Sequence, residues 1–244
     1  LDAPSRHAWP VMPTVRDLED ALAPHLDLER YRREGDPTGV WLDSDRDVRR
    51  LGLRLEAGRP PYDWADGLDA VLVHRPFGLW PAMLPDGLGV LAAHRALDDL
   101  HSVGCNPALA RSLGLEADAE PLRRDGNPIG LVGRLPSAVD LEGAVRRVEV
   151  ELGGLEDAVG PEPESIEALA LAGAMTESLV EDAAERGAGL YVTGQIRRNA
   201  LEAVERCGVR VVSVGQGRAE WWGLRRLGAL LGESFPGLVV VECG

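Results

Sequence analysis

Apolar positions recur along this chain with two spacings, and the switching between them predicts its fold class. Behind Thr14, Leu18, Leu22 and Leu26 repeat every fourth residue with Asp17 and Glu19 ahead of them, which predicts an amphipathic helix carrying acidic groups at its positive end. Strands are predicted around Gly39–Leu42 and Leu51–Leu55, separated by the polar stretch Asp43–Arg49. The runs Asp69–His74 and Gly87–Ala93 are short and continuously apolar, the mark of strands buried on both faces. His74 then emerges at the carboxyl end of one, and His94 follows the other. Beyond them the pattern predicts a helix over Pro107–Leu113 closed by Gly114, and a polar, turn-rich stretch over Pro121–Pro128. A strand over Ile129–Val132 and a helix from Ser137, with Asp140 three residues on, through Val150 come next. After the break at Pro161–Pro163 come a strand Ala168–Leu171, a helix Thr176–Arg186 stopped by Gly187, and a strand Gly189–Thr193. A helix Ala200–Arg206, a strand Val209–Val214, a helix Trp221–Leu231 and a strand Gly237–Val241 complete the chain. Such alternation is the α/β pattern, and it suggests two lobes.

Charge and composition narrow the chemistry. The net charge is -14, and all 26 basic residues are Arg; no Lys occurs. A P-loop lysine, a Schiff-base lysine and a pyridoxal-phosphate anchor are therefore excluded. An acidic surface repels phosphate backbones, so nucleic-acid binding is disfavoured. No apolar run approaches the ~20 residues that span a bilayer, so membrane insertion is not expected. Residues 1–13 lack a basic start followed by an apolar core; they read as an N-terminal arm, not a secretory signal. Cys105, Cys207 and Cys243 form no CxxC pair, which suggests reduced thiols in a cytoplasmic protein.

Familiar catalytic signatures are missing: no GxSxG, HExxH or GxxxxGK[ST] occurs. Gly215-Gln216-Gly217 follows a predicted strand, but Glu220 stands where the third glycine of a dinucleotide loop would be, and a carboxylate there opposes a pyrophosphate. Position points elsewhere. Ligands in α/β sheets gather at the carboxyl ends of strands, where His74, His94 with Asp98, and Glu220 fall. One imidazole and two carboxylates could hold a divalent cation that polarises a water or a phosphoryl oxygen. Arg197 and Arg198 beside Asn199 could receive a phosphorylated small molecule.

The same segments resemble those of the NIF-three-like proteins (NGG-one-interacting factor three), many of whose bacterial members are labelled GTP cyclohydrolase type 2 homologues. Gly35-Asp-Pro-Thr-Gly-Val40 is similar to the family's Asp-Asn-x-Gly-Leu segment, and Val71-Leu-Val-His-Arg-Pro76 to its strand ending in His-His-Pro. Ala93-His-Arg-Ala-Leu-Asp98, with Gly104-Cys-Asn-Pro-Ala-Leu-Ala110 after it, resembles a His-Thr-x-Leu-Asp … Gly-x-Asn-x-x-Leu-Ala block. Val192-Thr-Gly194 and Gly215-Gln-Gly-Arg-Ala-Glu220 resemble its Thr-Gly-Glu and Gly-His-x-x-(Ser/Thr)-Glu segments. The resemblance runs from about Thr14 to Val241. It implies two interlinked α/β lobes with mixed sheets, one formed by residues 14–116 plus 209–244 and the other by 117–208. It also implies a two-metal centre, a hydrolytic activity and a homo-oligomer, commonly a hexameric ring.

This sequence departs from that pattern at one ion. His74, Asp98 and Glu220 match the ligands of one metal, whereas Arg75 and Gln216 replace the histidines of the second. Gln195 and Asn199 replace further family positions nearby, and His94 is expected beside the ligands, not among them. The resemblance therefore implies at most one divalent ion per chain. Three readings stand: a metal-dependent hydrolase with a single ion; a metal-free binding, regulatory or scaffold protein in which the permanent cation of Arg75 pairs with Glu220 or Asp98; or acidic residues that hold a hard cation such as Mg²⁺ or Mn²⁺ only loosely, when a substrate phosphate helps.

Overall fold

The computed structural model describes residues 12–244, so the expected N-terminal arm lies, except for its last two residues, outside the described residues. In chain order the strands are β1 (Gly39–Leu42), β2 (Arg50–Glu56), β3 (Ala70–Arg75), β4 (Gly89–Ala92), β5 (Glu120–Arg124), β6 (Asn127–Val139), β7 (Asp157–Val159), β8 (Ile166–Ala172), β9 (Leu190–Thr193), β10 (Arg210–Ser213) and β11 (Val239–Glu242). The helices are α1 (Val15–Leu26), α2 (Leu28–Arg33), α3 (Arg95–Leu100), α4 (Pro107–Ser112), α5 (Leu141–Leu152), α6 (Glu177–Glu185), α7 (Leu201–Cys207) and α8 (Gln216–Ser234). The fold is mixed α/β with two mixed sheets.

The chain divides into two compact units: the first runs to Ala96 and resumes at Leu224, and the second is Leu97–Gly223. The resemblance implies joints at residues 116/117 and 208/209; those between the two compact units fall inside α3 and inside α8. A crossing within a helix leaves the helical periodicity intact and carries no linker composition, so the pattern had nothing to mark it. The strand β10 belongs to the second unit's sheet.

In the first unit the sheet order is β1-β4-β3-β2-β11. Its four strands from β4 to β11 are mutually parallel, and β1 joins β4 antiparallel at the edge. Residues Ala70 to Val73 are fully buried, which is why β3 reads as an unbroken apolar run. The helix α1 starts where expected: Thr14 accepts from Asp17 N–H, and Asp17 accepts from Thr14 N–H at 2.8 Å, closing a capping box. Its Leu18, Leu22 and Leu26 stripe is buried.

The second unit's sheet runs β5-β6-β8-β9-β10-β7, with β8, β9 and β10 parallel and the rest antiparallel. Along β8 the side chains alternate between two cores: Leu169 and Leu171 join one with Val192 and Val212, while Ala170 and Ala172 join another with Tyr191 and Val211. Two predicted features change. The helix expected from Ser137 begins at Leu141, because β6 continues to Val139, which pairs with Ile166. The stretch expected as turns contains β5, joined to β6 through Asp125 and Gly126, both at positive φ. Asp-Gly in that conformation is a hairpin signal, which the surrounding polar residues masked.

Candidate metal centre

His74 is carried to the end of β3 and is 0% exposed. Its Nδ1 lies 2.8 Å from the carbonyl oxygen of Ala93. A carbonyl can only accept, so Nδ1 holds the proton and Nε2 keeps its lone pair in the neutral ring. Ala93 N–H donates to Val73 at 3.1 Å, so the imidazole extends the β3–β4 ladder by one rung.

Asp98 stands on α3, an element the sequence pattern did not predict. That helix is tied off by the Gly104-x-Asn106 segment. A Cβ on Gly104 would lie 2.3 Å from the Asp99 carbonyl oxygen, so only glycine allows the chain to pass there. Asn106 Nδ2 donates to the His101 carbonyl at 2.8 Å, and its Oδ1 accepts from the N–H groups of Ala108 and Leu109. One buried side chain thus closes α3 and opens α4. Ser102 Oγ donates to the Asp98 carbonyl at 2.8 Å.

Glu220 lies in the second turn of α8 and is 1% exposed. Sequence pattern placed the helix start at Trp221; it begins at Gln216, so Gln216 and Glu220 share one helix face at i and i+4. Gln216 Nε2 donates to Glu220 Oε1 at 2.9 Å. Room for that amide comes from Gly194, where a Cβ would lie 2.6 Å from Gln216 Oε1.

One ligand atom from each of His74, Asp98 and Glu220 lies within 4.8 Å of the other two. An imidazole nitrogen with two carboxylate oxygens is a donor set that fits divalent ions such as Mn²⁺, Fe²⁺ or Zn²⁺. Beside them, His94 Nδ1 donates to Asp36 Oδ1 at 2.7 Å, a direction fixed because a carboxylate only accepts. Asp36 is itself buried and also accepts from Thr38 and from Arg95 N–H. Burial pushes the Asp36 carboxyl up, but these hydrogen bonds outweigh it and hold the group below its ordinary value. The His94 ring lies 5.5 Å from that of His74 and 5.0 Å from that of Phe77. Arg75 Nη1 donates to Glu56 Oε1 at 2.7 Å. Gln195 and Asn199 are exposed on the segment that follows β9. Sequence reading missed the partnership of Asp36 with His94; they lie 58 residues apart, and no spacing rule joins them. Among the described residues no helix is long and apolar enough to cross a membrane.

A family model described as Duf34/NIF3 (NGG1p interacting factor 3) matches residues 13–243. A curated protein of Allochromatium vinosum named GTP cyclohydrolase 1 type 2 homolog is 27% identical over 242 residues, covering 92% of this chain and 94% of that one. One of the same name from Pseudomonas aeruginosa is 28% identical over 224 residues, covering 82% and 85%. Among solved structures, a Thermus thermophilus protein aligns with a TM-score of 0.71 at 23% identity over 95% of this chain and 98% of its own. A Bacillus cereus protein related to NIF3 aligns with a TM-score of 0.71 at 14% identity, covering 95% and 96%. At those identities the structures speak to fold alone.

Proposed function

The chain belongs to the Duf34/NIF3 (NGG1p interacting factor 3) family, and from that premise we propose that it is a metal-dependent hydrolase working with one divalent cation held by His74, Asp98 and Glu220. The observation that carries this reading is the convergence, within 4.8 Å, of an imidazole nitrogen and two carboxylate oxygens from segments far apart in the sequence. A divalent cation in such a setting polarises a substrate oxygen and makes hydroxide available from water near neutral pH. The chain's own residues prepare the ligands. The Ala93 carbonyl holds the His74 ring in the tautomer that offers Nε2. The Gln216 amide steadies the Glu220 carboxylate through Oε1.

Two features support one ion in place of two. A guanidinium has no lone pair to give, so Arg75 offers no ligand. Gln216 presents a carboxamide already engaged with Glu220, where the family has a histidine. The reading includes a reducing, cytoplasmic setting, which the three free thiols support.

Elemental analysis of the purified, metal-supplemented protein tests the proposal. We expect one ion per chain, lost at least tenfold in Glu220→Ala. No ion in the wild-type protein would overturn it in favour of the metal-free reading with Arg75 as the resident cation. Two ions per chain would overturn the single-ion part.

A further inference from the structure

Five large hydrophobic side chains are exposed among the described residues, and three of them, Phe77 (58%), Trp80 (64%) and Met83 (53%), fall in the loop 76–84. A lone exposed apolar residue is ordinary, but such a concentration on one loop is not. Leu79 and Leu84 turn into the core of the first unit with Tyr62. Gly78, at φ +84, reverses the chain between Phe77 and Leu79 in a conformation that other residues rarely adopt. Tyr62 Oη accepts from Trp80 N–H at 3.0 Å and lies 3.2 Å from the Gly78 carbonyl, to which it donates. The loop is thus braced from beneath while its apolar side chains face outward.

Its position completes the picture. The loop begins two residues after His74. Phe77 meets the His94 ring edge to face at 5.0 Å, and the His94 ring lies 5.5 Å from that of His74. A series of rings therefore connects the exposed loop with a candidate metal ligand.

We propose that Phe77, Trp80 and Met83 form a stacking lip that binds a planar aromatic or heteroaromatic ring of the substrate, while the substrate's hydrolysable group reaches the ion at His74. This deepens the metal-centre reading and rests on it. A small planar ring suits the lip better than a protein partner does, because a stable protein interface buries about 800 Å² per side, far more than three side chains of one loop provide. Tryptophan and phenylalanine offer flat faces, and a thioether packs well against a ring edge.

The test is calorimetric titration of the full chain with adenosine, guanosine, cytidine and tryptophanamide, against ribose as the ringless control. At least one ring compound should bind tenfold or more tightly than ribose. Trp80→Leu should remove about tenfold to a hundredfold of that preference, and Trp80→Phe should retain most of it. Metal content measured on the same samples should stay at the wild-type level, so that loss of the ring site is distinguished from loss of the ion. A ring preference that survives chelation supports the lip even where the metal reading fails. Equal binding of all probes and ribose overturns the proposal, as does a preference unchanged in Trp80→Leu. Dissociation of a homo-oligomer by Trp80→Leu, seen in sedimentation, also overturns it and makes the loop a contact between copies.

Discussion

At the scale of single residues, His74 and His94 are each committed at Nδ1 by an acceptor that sequence spacing does not reveal, the Ala93 carbonyl for one and the Asp36 carboxylate for the other. Each ring is thereby held in one orientation, as a carbonyl or carboxylate acceptor does for histidines that serve as ligands. Asp36 sits low in its titration because His94, Thr38 and Arg95 N–H outweigh the cost of its burial. With the folded value below the unfolded one, its ionised form stabilises the fold above about pH 4, and that contribution disappears as pH falls through the lowered folded value. Asp36→Asn should consequently flatten the fall of the thermal midpoint below about pH 4. A variant whose midpoint falls in parallel with the wild type would show that Asp36 adds nothing there. The residues His74, Asp98 and Glu220 could be picked from sequence because each follows an apolar run or a matched motif. Asp36 could not be connected to His94, since its partner depends on how β1 and β4 are brought together.

At the scale of elements, helices with strong stripes and strands with continuous apolar runs were legible: α1, α6, β3 and β10 fall within a few residues of their predicted spans. Errors cluster where local signals compete. Ser137 looks like a helix cap, but the ladder to β8 holds the chain extended through Val139, and Asp140 takes the cap by accepting from Gly143 N–H at 2.7 Å. Asp140→Ala should cost about 1 kcal/mol in urea unfolding, whereas Ser137→Ala should stay within about 0.5 kcal/mol. A greater loss from Ser137→Ala would reverse that assignment. The early start of α8 was hidden by Gly215 and Gly217, which read as loop residues, although it is this start that stacks Gln216 one turn before Glu220.

At the scale of the whole molecule, an ion bound only by the folded state adds stability by mass action, about 2.7 kcal/mol at a hundredfold excess over its dissociation constant. For a chain of this size that corresponds to a rise of about 5–10 °C in the unfolding midpoint. The rise should appear on titrating the divalent cation into wild-type protein and be absent in Glu220→Ala. An equal rise in both would place the stabilising ion elsewhere. The two units share the chain in an interleaved order, so the ligand-bearing helices α3 and α8 each begin in one unit and end in the other.

The sequence by itself determined the α/β class, the buried strands, the family resemblance and the absence of lysine chemistry, because periodicity, composition and short motifs are local properties. Tertiary structure alone decided which atoms of those residues meet. The Ala93 carbonyl selects a tautomer, Asp36 orients a second imidazole, and helix phase sets Gln216 against Glu220. It also decided that Phe77, Trp80 and Met83 face outward while Leu79 and Leu84 turn in, since apolar residues in a loop carry no period that tells inside from outside.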